Sequence, residues 1–170
     1  MLKYVNDPTI IAFTRARLPY GWLGNMSAYP VTIFEVCWPT AEHAFQAMRV
    51  HENYWNTVRD AASPMTAKML VRGMISRGGY FMVVEPRTVR DIENMRTVLM
   101  QKVIQNPKLA VALLQTGDSL IVEDVTKQPH DLFWGMKLVG DHWVGDNMLG
   151  LLWMGVRARL RGIIPQQGVL

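Results

Sequence analysis

Asn147-Met148-Leu149-Gly150-Leu151-Leu152-Trp153-Met154-Gly155-Val156, running on to Leu160, is the stretch on which the reading of the fold turns. Wound as a helix over about residues 147–160, it places Met148, Leu149, Leu151, Leu152, Met154 and Val156 around most of its circumference. A helix that is apolar on most sides is a buried one, so this segment is expected to form the core of a helical bundle. Its longest apolar run, Met148 to Val156, is interrupted by Gly150 and Gly155 and is far shorter than the roughly 20 residues that cross a bilayer. No membrane span is expected.

Working back from it, Asn106-Pro107 opens a short helix that ends before Gly117, and Thr88 to Gln105 sets Ile92, Met95, Leu99 and Val103 along one side of a longer one. Ser63-Pro64 combines an N-cap with a proline at the first helical position, where the missing N–H is no loss. That helix is expected to run to Gly78-Gly79, with Lys68 in its second turn. Pro39-Thr40 supplies a turn and a cap for a helix over about residues 41–58, along which Ala41, Phe45, Met48 and Trp55 recur at near-helical intervals. Glu42 falls in its first turn. Residues 9–39 are instead rich in Pro, Gly, aromatic and β-branched side chains, and Tyr29 to Val36 reads as extended chain. The expected fold class is mainly α: a single domain over residues 1–170, multihelical, with a small β-containing N-terminal segment and only helices after it.

With 170 residues, 49% apolar and 19% charged, the chain has the composition of a globule and not of a disordered tail. No fixed-period repeat or low-complexity linker interrupts it. The N-terminal stretch to Ile10 contains Asp7 and Pro8 and lacks the apolar centre of a secretory signal, so a cytoplasmic location is expected. Cys37 is the single cysteine, which excludes an internal disulfide and a thiolate cluster and reads as a small packing residue. His43, His51, His130 and His142 show no HExxH or HxH spacing, and no metal site is expected. The net charge of +4 is spread evenly, +2 on either side of a division after Glu85. That suits an anionic ligand such as a phosphate and lacks the dense basic stripe of a dedicated duplex binder. Arg157, Arg159 and Arg161, the tightest basic cluster, are split over different helix faces and read as solvated surface. Met95, Met100, Met148 and Met154, four of twelve methionines, read as core filler.

None of the generic catalytic signatures occurs: there is no GxGxxG, GKS/GKT, GxSxG or paired CxxC. Three segments do set hydrogen-bonding groups among flat rings, namely Tyr20 to Asn25, Trp38 to His43 and Asp131 to Gly135. Rings that stack on a base, beside Asn and carboxylate groups that address hydroxyls, compose a pocket for a nucleobase joined to ribose. The ordered set YGWLGN (20–25), WPTAEHAFQ (38–46), SPMTAK (63–68) with Arg72 four residues on, QKVIQNPKL (101–109), LLQTGD (113–118) with Glu123, DLFWG (131–135) and GDNMLGLLWMGVR (145–157) resembles the NADAR family of YbiA-like N-glycosidases. The resemblance covers about residues 13–161, and seven matches in order are far more specific than any one alone.

That resemblance implies a mainly helical YbiA-like fold and hydrolysis of an N-glycosidic bond without metal or cofactor. It implies as substrate either an early ribosylamino-pyrimidine intermediate of riboflavin synthesis or ADP-ribose attached to guanine, in which case modified DNA is a partner. The chain departs from the family pattern in having no Asp-Trp pair around Glu85 to Thr88, Val71 where a glycine precedes Arg72, and Gly24 where a serine precedes Asn25. Loss of the Asp-Trp pair keeps a second reading open, a non-catalytic module that binds ADP-ribose or another nucleotide.

Breaking a C1′–N bond develops positive charge at the sugar carbon and needs a fixed negative group, a proton source and a nucleophile. By the resemblance, Glu42 is the general acid/base or electrostatic partner, and its alternative is helix-end electrostatics. Lys68 is a nucleophile able to form a Schiff base with the opened ribose, given burial that frees the neutral amine; its alternative is solvated surface. Asp131 stabilises or orients, against capping or turn formation. Trp22 and Trp134 are stacking or pocket walls, against core packing, and Asn25 and Asn147 bind sugar hydroxyls or phosphate, with capping the rival for Asn147. Arg72 holds a phosphate or a structural ion pair. Gly21, placed with the substrate-binding set, is read with Gly145 and Gly150 as permitting tight backbone geometry. An amine and two acids are thus expected to meet at one anomeric carbon.

Overall fold

The computed structural model describes residues 2–3, 7, 9–77, 81–127 and 131–163. The chain forms two compact units, one from Met1–Gly24 with Pro107–Leu170 and the other from Asn25–Asn106. Helices dominate both, as expected. Among the described residues, no helix is long and apolar enough to cross a membrane.

In the unit Asn25–Asn106, β3 (Val31–Ile33) and β4 (Val36–Trp38) form an antiparallel hairpin. Its two-residue turn places Phe34 at φ 53° and Glu35 at φ 62°, the left-handed pair that matches strand twist and is normally filled by Asn-Gly. Bulky residues there cost about 1 kcal/mol or more each. Phe34, 61% exposed, stacks on Trp55 with centroids 5.6 Å apart, and Trp55 meets the buried Trp38 edge to face.

α1 (Ala41–Ala47) and α2 (Trp55–Arg59) replace the single helix expected over residues 41–58. The interruption is tertiary. Val50 bridges Met82, His51 N–H donates to the Phe81 carbonyl, and the Arg49 carbonyl accepts from Val83 and Val84, so the chain leaves the helix to pair with a distant segment. A 3-10 turn over Glu52–Tyr54 then leads into α2. α3 (Pro64–Ser76) begins as read, with Ser63 Oγ accepting from Thr66 N at 3.0 Å; the expected end at Gly78-Gly79 lies outside the described residues. α4 (Val89–Gln105) starts at the Thr88 cap and buries Met95, Leu99 and Val103, together with Val98 and two polar residues, Asp91 and Lys102. α1 packs on α2, α3 and α4, and α4 packs on β3.

The other unit contains the strands β1 (Leu2–Lys3), β2 (Ile10–Phe13), β5 (Leu120–Glu123), β6 (Lys137–Val139) and β7 (His142–Val144), with α5 (Pro107–Gln115) and α6 (Met148–Ile163). β2 pairs with β5 in parallel and the others form a sheet ordered β1-β7-β6. Strands after residue 39 correct the expectation of helices alone. Four-residue β5 and three-residue β6 and β7 are too short to show a period: β5 is a strand because the distant β2 supplies its ladder, and β6 and β7 pair with each other across the turn Gly140-Asp141.

α6 is also less enveloped than its apolar residues suggest. It packs Leu149, Leu152, Trp153, Val156 and Leu160 against β5 and α5, whereas Leu151 lies half in solvent. Arg157 corrects the surface reading of its cluster, being buried and donating to Thr116 Oγ1 at 2.7 Å, while Arg161 is exposed and pairs with Asp118. Cys37, read as packing, lies exposed on β4. His130 lies outside the described residues.

Candidate functional site

The WPTAEHAFQ segment turns from β4 into α1. Thr40 is extended, and its hydroxyl both receives His43 N–H at 3.4 Å and lies 2.8 Å from His43 Nδ1. The tautomer with hydrogen on Nε2 satisfies the ring's other contact, at 3.3 Å to the Ala61 carbonyl. Capping of α1 therefore belongs to Thr40. Glu42, only 5% exposed, directs Oε1 to Gln46, whose Nε2 donates at 2.8 Å, while its backbone N–H donates to the Asn25 carbonyl at 3.0 Å. Among the described residues no cation pairs with this carboxylate. A carboxylate taken out of water without a cation is costly.

Asn25 is buried beside it. Its Nδ2 lies 3.1 Å from Met95 Sδ, a weak acceptor, and its Oδ1 has no hydrogen-bond partner among the described residues. A buried acceptor left open costs about 1 to 3 kcal/mol, which a hydroxyl donor would recover.

Lys68 sits half-buried in the second turn of α3, one turn before the exposed Arg72. Neither makes a hydrogen bond or ion pair among the described residues. Because α3 packs on α1, the amine and the acid belong to neighbouring helices of one unit. Full burial of an amine occurs at Lys102, where desolvation lowers the pKa to about 7.

Three residues missed in the sequence complete the surroundings of Glu42. Arg49 donates through Nε and Nη2 to Asp91 Oδ1 and Oδ2 at 2.8 and 2.7 Å, and through Nη1 to Gln46 Oε1 at 3.4 Å. Its guanidinium also lies over the Phe45 ring, 4.3 Å from the centroid. Gln46 and Arg49 follow Glu42 one and two turns on, a spacing readable in the chain. Asp91 comes from α4 and has no local signal.

In the other unit, Gly21 and Trp22 belong to a 3-10 turn over Gly21–Leu23. A Cβ on Gly21 would overlap the Arg15 and Ala16 carbonyls, so the glycine is there for close backbone approach. Trp22 is half-buried and meets the buried Trp153 edge to face at 6.1 Å. Asp131 is half-buried, and its carbonyl accepts from Gly135 N at 3.1 Å, closing the DLFWG turn. The Leu132, Phe133 and Trp134 carbonyls then accept from Asp146, Met148 and Leu149, satisfying N–H groups at the start of α6. Trp134, 8% exposed, packs edge to face on Phe133.

Asn147 does something that neither sequence reading named. Its Nδ2 donates to the Ile121 carbonyl at 2.8 Å and its Oδ1 accepts from Glu123 N at 3.2 Å, so the side chain ties β5 to the start of α6. Gly150 and Gly145 are required by contact: an added Cβ would overlap the Ile121 and Gly135 carbonyls respectively. Among the described residues, no group of three or more His, Cys, Asp or Glu side chains is placed to hold a metal ion.

Residues 12–161 match the NADAR domain. The chain is 33% identical to N-glycosidase YbiA of Escherichia coli (strain K12) over 162 residues, covering 94% of this chain and 93% of that one. It is 31% identical to riboflavin biosynthesis protein VVA0006 of Vibrio vulnificus (strain YJ016), over 86% of this chain and 37% of that longer one. The NMR structure of the E. coli protein YbiA superposes with a TM-score of 0.75 at 30% identity, covering 99% of this chain and 94% of that one. Motif order, mainly helical architecture and whole-length similarity agree: the chain belongs to the NADAR family.

Proposed function

We propose that this hydrolase of N-glycosyl bonds cleaves the C1′–N bond of a phosphorylated, ribose-linked nucleobase, with Glu42 and Lys68 as its catalytic residues. Membership of the NADAR family and the N-glycosidase YbiA relative support the reaction class. The observation that carries the assignment is the Glu42 carboxyl group, buried and, among the described residues, without a cation and hydrogen-bonded at one oxygen only. A carboxyl group so placed lends a proton to the departing base and, once ionised, stabilises the cationic sugar carbon. The Lys68 amine bonds to C1′ as the base leaves with the Glu42 proton; the C1′–O4′ bond then breaks, O4′ taking a proton from the amine, and water hydrolyses the resulting iminium to the free sugar and a protonated amine whose extra proton returns to Glu42.

Asn25 and Arg72, whose Oδ1 and guanidinium have no partner among the described residues, are assigned to a sugar hydroxyl and a phosphate. Asp131 takes the orienting or stabilising role that the resemblance implies, and the half-buried Trp22 ring is assigned to the base. Trp134 and Asn147 are assigned to packing and to holding β5. For the substrate, the riboflavin biosynthesis relative supports a ribosylamino-pyrimidine, and ADP-ribosylated guanine is the competing candidate.

Incubation with ADP-ribosylated guanine in DNA, with riboflavin precursors and with dinucleotides, followed by chromatography of free bases, tests the reading. Wild type is expected to release base from one of the first two. Glu42→Ala and Lys68→Ala, folded by circular dichroism, are expected to lose at least about 100-fold. Full activity in both variants would refute the assignment.

A further inference from the structure

Asp91, Arg49, Gln46 and Glu42, all buried, form one hydrogen-bonded line within a single unit. Its direction is dictated at one end. Asp91 is held by two Arg49 N–H groups and by Arg87 N–H at 2.7 Å, so this carboxylate cannot swing. A guanidinium has donors only, so the Gln46 atom facing Arg49 Nη1 must be the carbonyl oxygen. The amide nitrogen is then turned to Glu42, 2.8 Å from Oε1. That oxygen receives an N–H, and a carbonyl oxygen accepts more strongly than a hydroxyl oxygen, so the bond favours the proton on the other oxygen.

We propose that Gln46 is a positioning residue, which reserves Glu42 Oε1 as an acceptor and leaves Oε2 as the oxygen that exchanges its proton with the leaving base. Arg49, clamped by Asp91, sets the orientation of the Gln46 amide. This rests on Glu42 being the catalytic acid. The step itself moves one proton from Glu42 Oε2 to the base nitrogen as the C1′–N bond breaks, and the proton returns from the water that hydrolyses the sugar adduct.

The test is steady-state base release by the full chain, on ADP-ribosylated guanine in DNA and on the ribosylamino-pyrimidine precursors. Gln46→Met keeps the length of the side chain and removes both amide functions. It is expected to lower kcat about 10- to 100-fold with KM changed less than about threefold. In a Glu42→Ala background the same change is expected to cost less than about twofold, since there is then no carboxylate to position. Arg49→Lys, which can keep the charge opposite Asp91 but gives up the fork, is expected to show a smaller loss of the same kind and serves if Gln46→Met does not fold. Val98→Ala, an apolar change in α4 matched for melting temperature, is expected to keep kcat.

Wild-type kcat in Gln46→Met, an equal loss in the Glu42→Ala background, a loss confined to KM, or an equal loss in Val98→Ala would each overturn the positioning role. Full activity of Glu42→Ala, or no turnover of either substrate by wild type, sinks the functional reading first and the positioning role with it.

Discussion

Lys102 Nζ lies 2.8 Å from Ser27 Oγ, the lysine wholly enclosed and the serine nearly so. The Tyr29 ring stands 5.6 Å from the same nitrogen. Through this contact α4 holds residues 25–29, and with them the Asn25 carbonyl that receives Glu42 N–H.

Desolvation lowers the Lys102 pKa from 10.5 to about 7 in the folded protein. Below about pH 7 the amine is protonated folded or unfolded, and the folded state bears the whole cost of the enclosed charge. Between pH 7 and 10.5 only the unfolded chain keeps that proton, so stability from this group rises with pH, by up to about 1.4 kcal/mol per unit. Urea titrations from pH 6.5 to 9.5 are expected to show that rise in wild type relative to Lys102→Met. Parallel curves would contradict the enclosed amine.

Arg49→Met leaves the Asp91 carboxylate with a backbone N–H and no cation. Loss of one partner of a buried pair costs about 3 to 5 kcal/mol, far more than a surface pair. Adding Asp91→Leu is expected to recover part of that loss. Urea midpoints of the two variants decide it, and an unchanged midpoint in Arg49→Met counts against the clamp.

Glu42→Gln removes the exchangeable carboxyl proton yet keeps an acceptor for Gln46. Thermal unfolding is expected at the wild-type temperature or a few degrees above, while base release drops at least about 100-fold. A variant both inactive and strongly destabilised would assign Glu42 to structure.

Asn147→Ala deletes two hydrogen bonds to β5 and is expected to cost about 2 kcal/mol, with kcat per folded molecule retained. Gly150→Ala drives a methyl into the Ile121 carbonyl and is expected to be at least as damaging. Differential scanning calorimetry with active-site titration separates these from a ligand role, in which KM would move and melting would not.

Helix starts were legible wherever the chemistry is local. Thr40, Ser63-Pro64 and Thr88 each satisfy an N–H three residues on, an interaction written within one turn of chain. The break after Ala47 was not, because Val50 departs to meet Met82 and nothing between them announces it. β5 is a strand by virtue of β2, and Arg157 is buried by virtue of Thr116. At the site, Glu42 could be picked out by motif, and Gln46 and Arg49 by their spacing from it. Asp91 could not, since it is set opposite Arg49 by the packing of α4 on α1. The tie from Asn147 to β5 was hidden for a related reason: its partners are carbonyl and amide groups of a strand that no local pattern reveals.

The pairing of Ile10 with Leu120 carries a consequence for biogenesis. Residues 25–106 are contiguous and complete their unit as they emerge, whereas β2 is translated long before β5. At ribosomal speeds of about 5 to 20 residues per second, that interval is roughly 5 to 20 s. Throughout it the backbone groups of Ile10–Phe13 lack the ladder partner that β5 supplies, so this pairing closes only after residues 25–106 have been made.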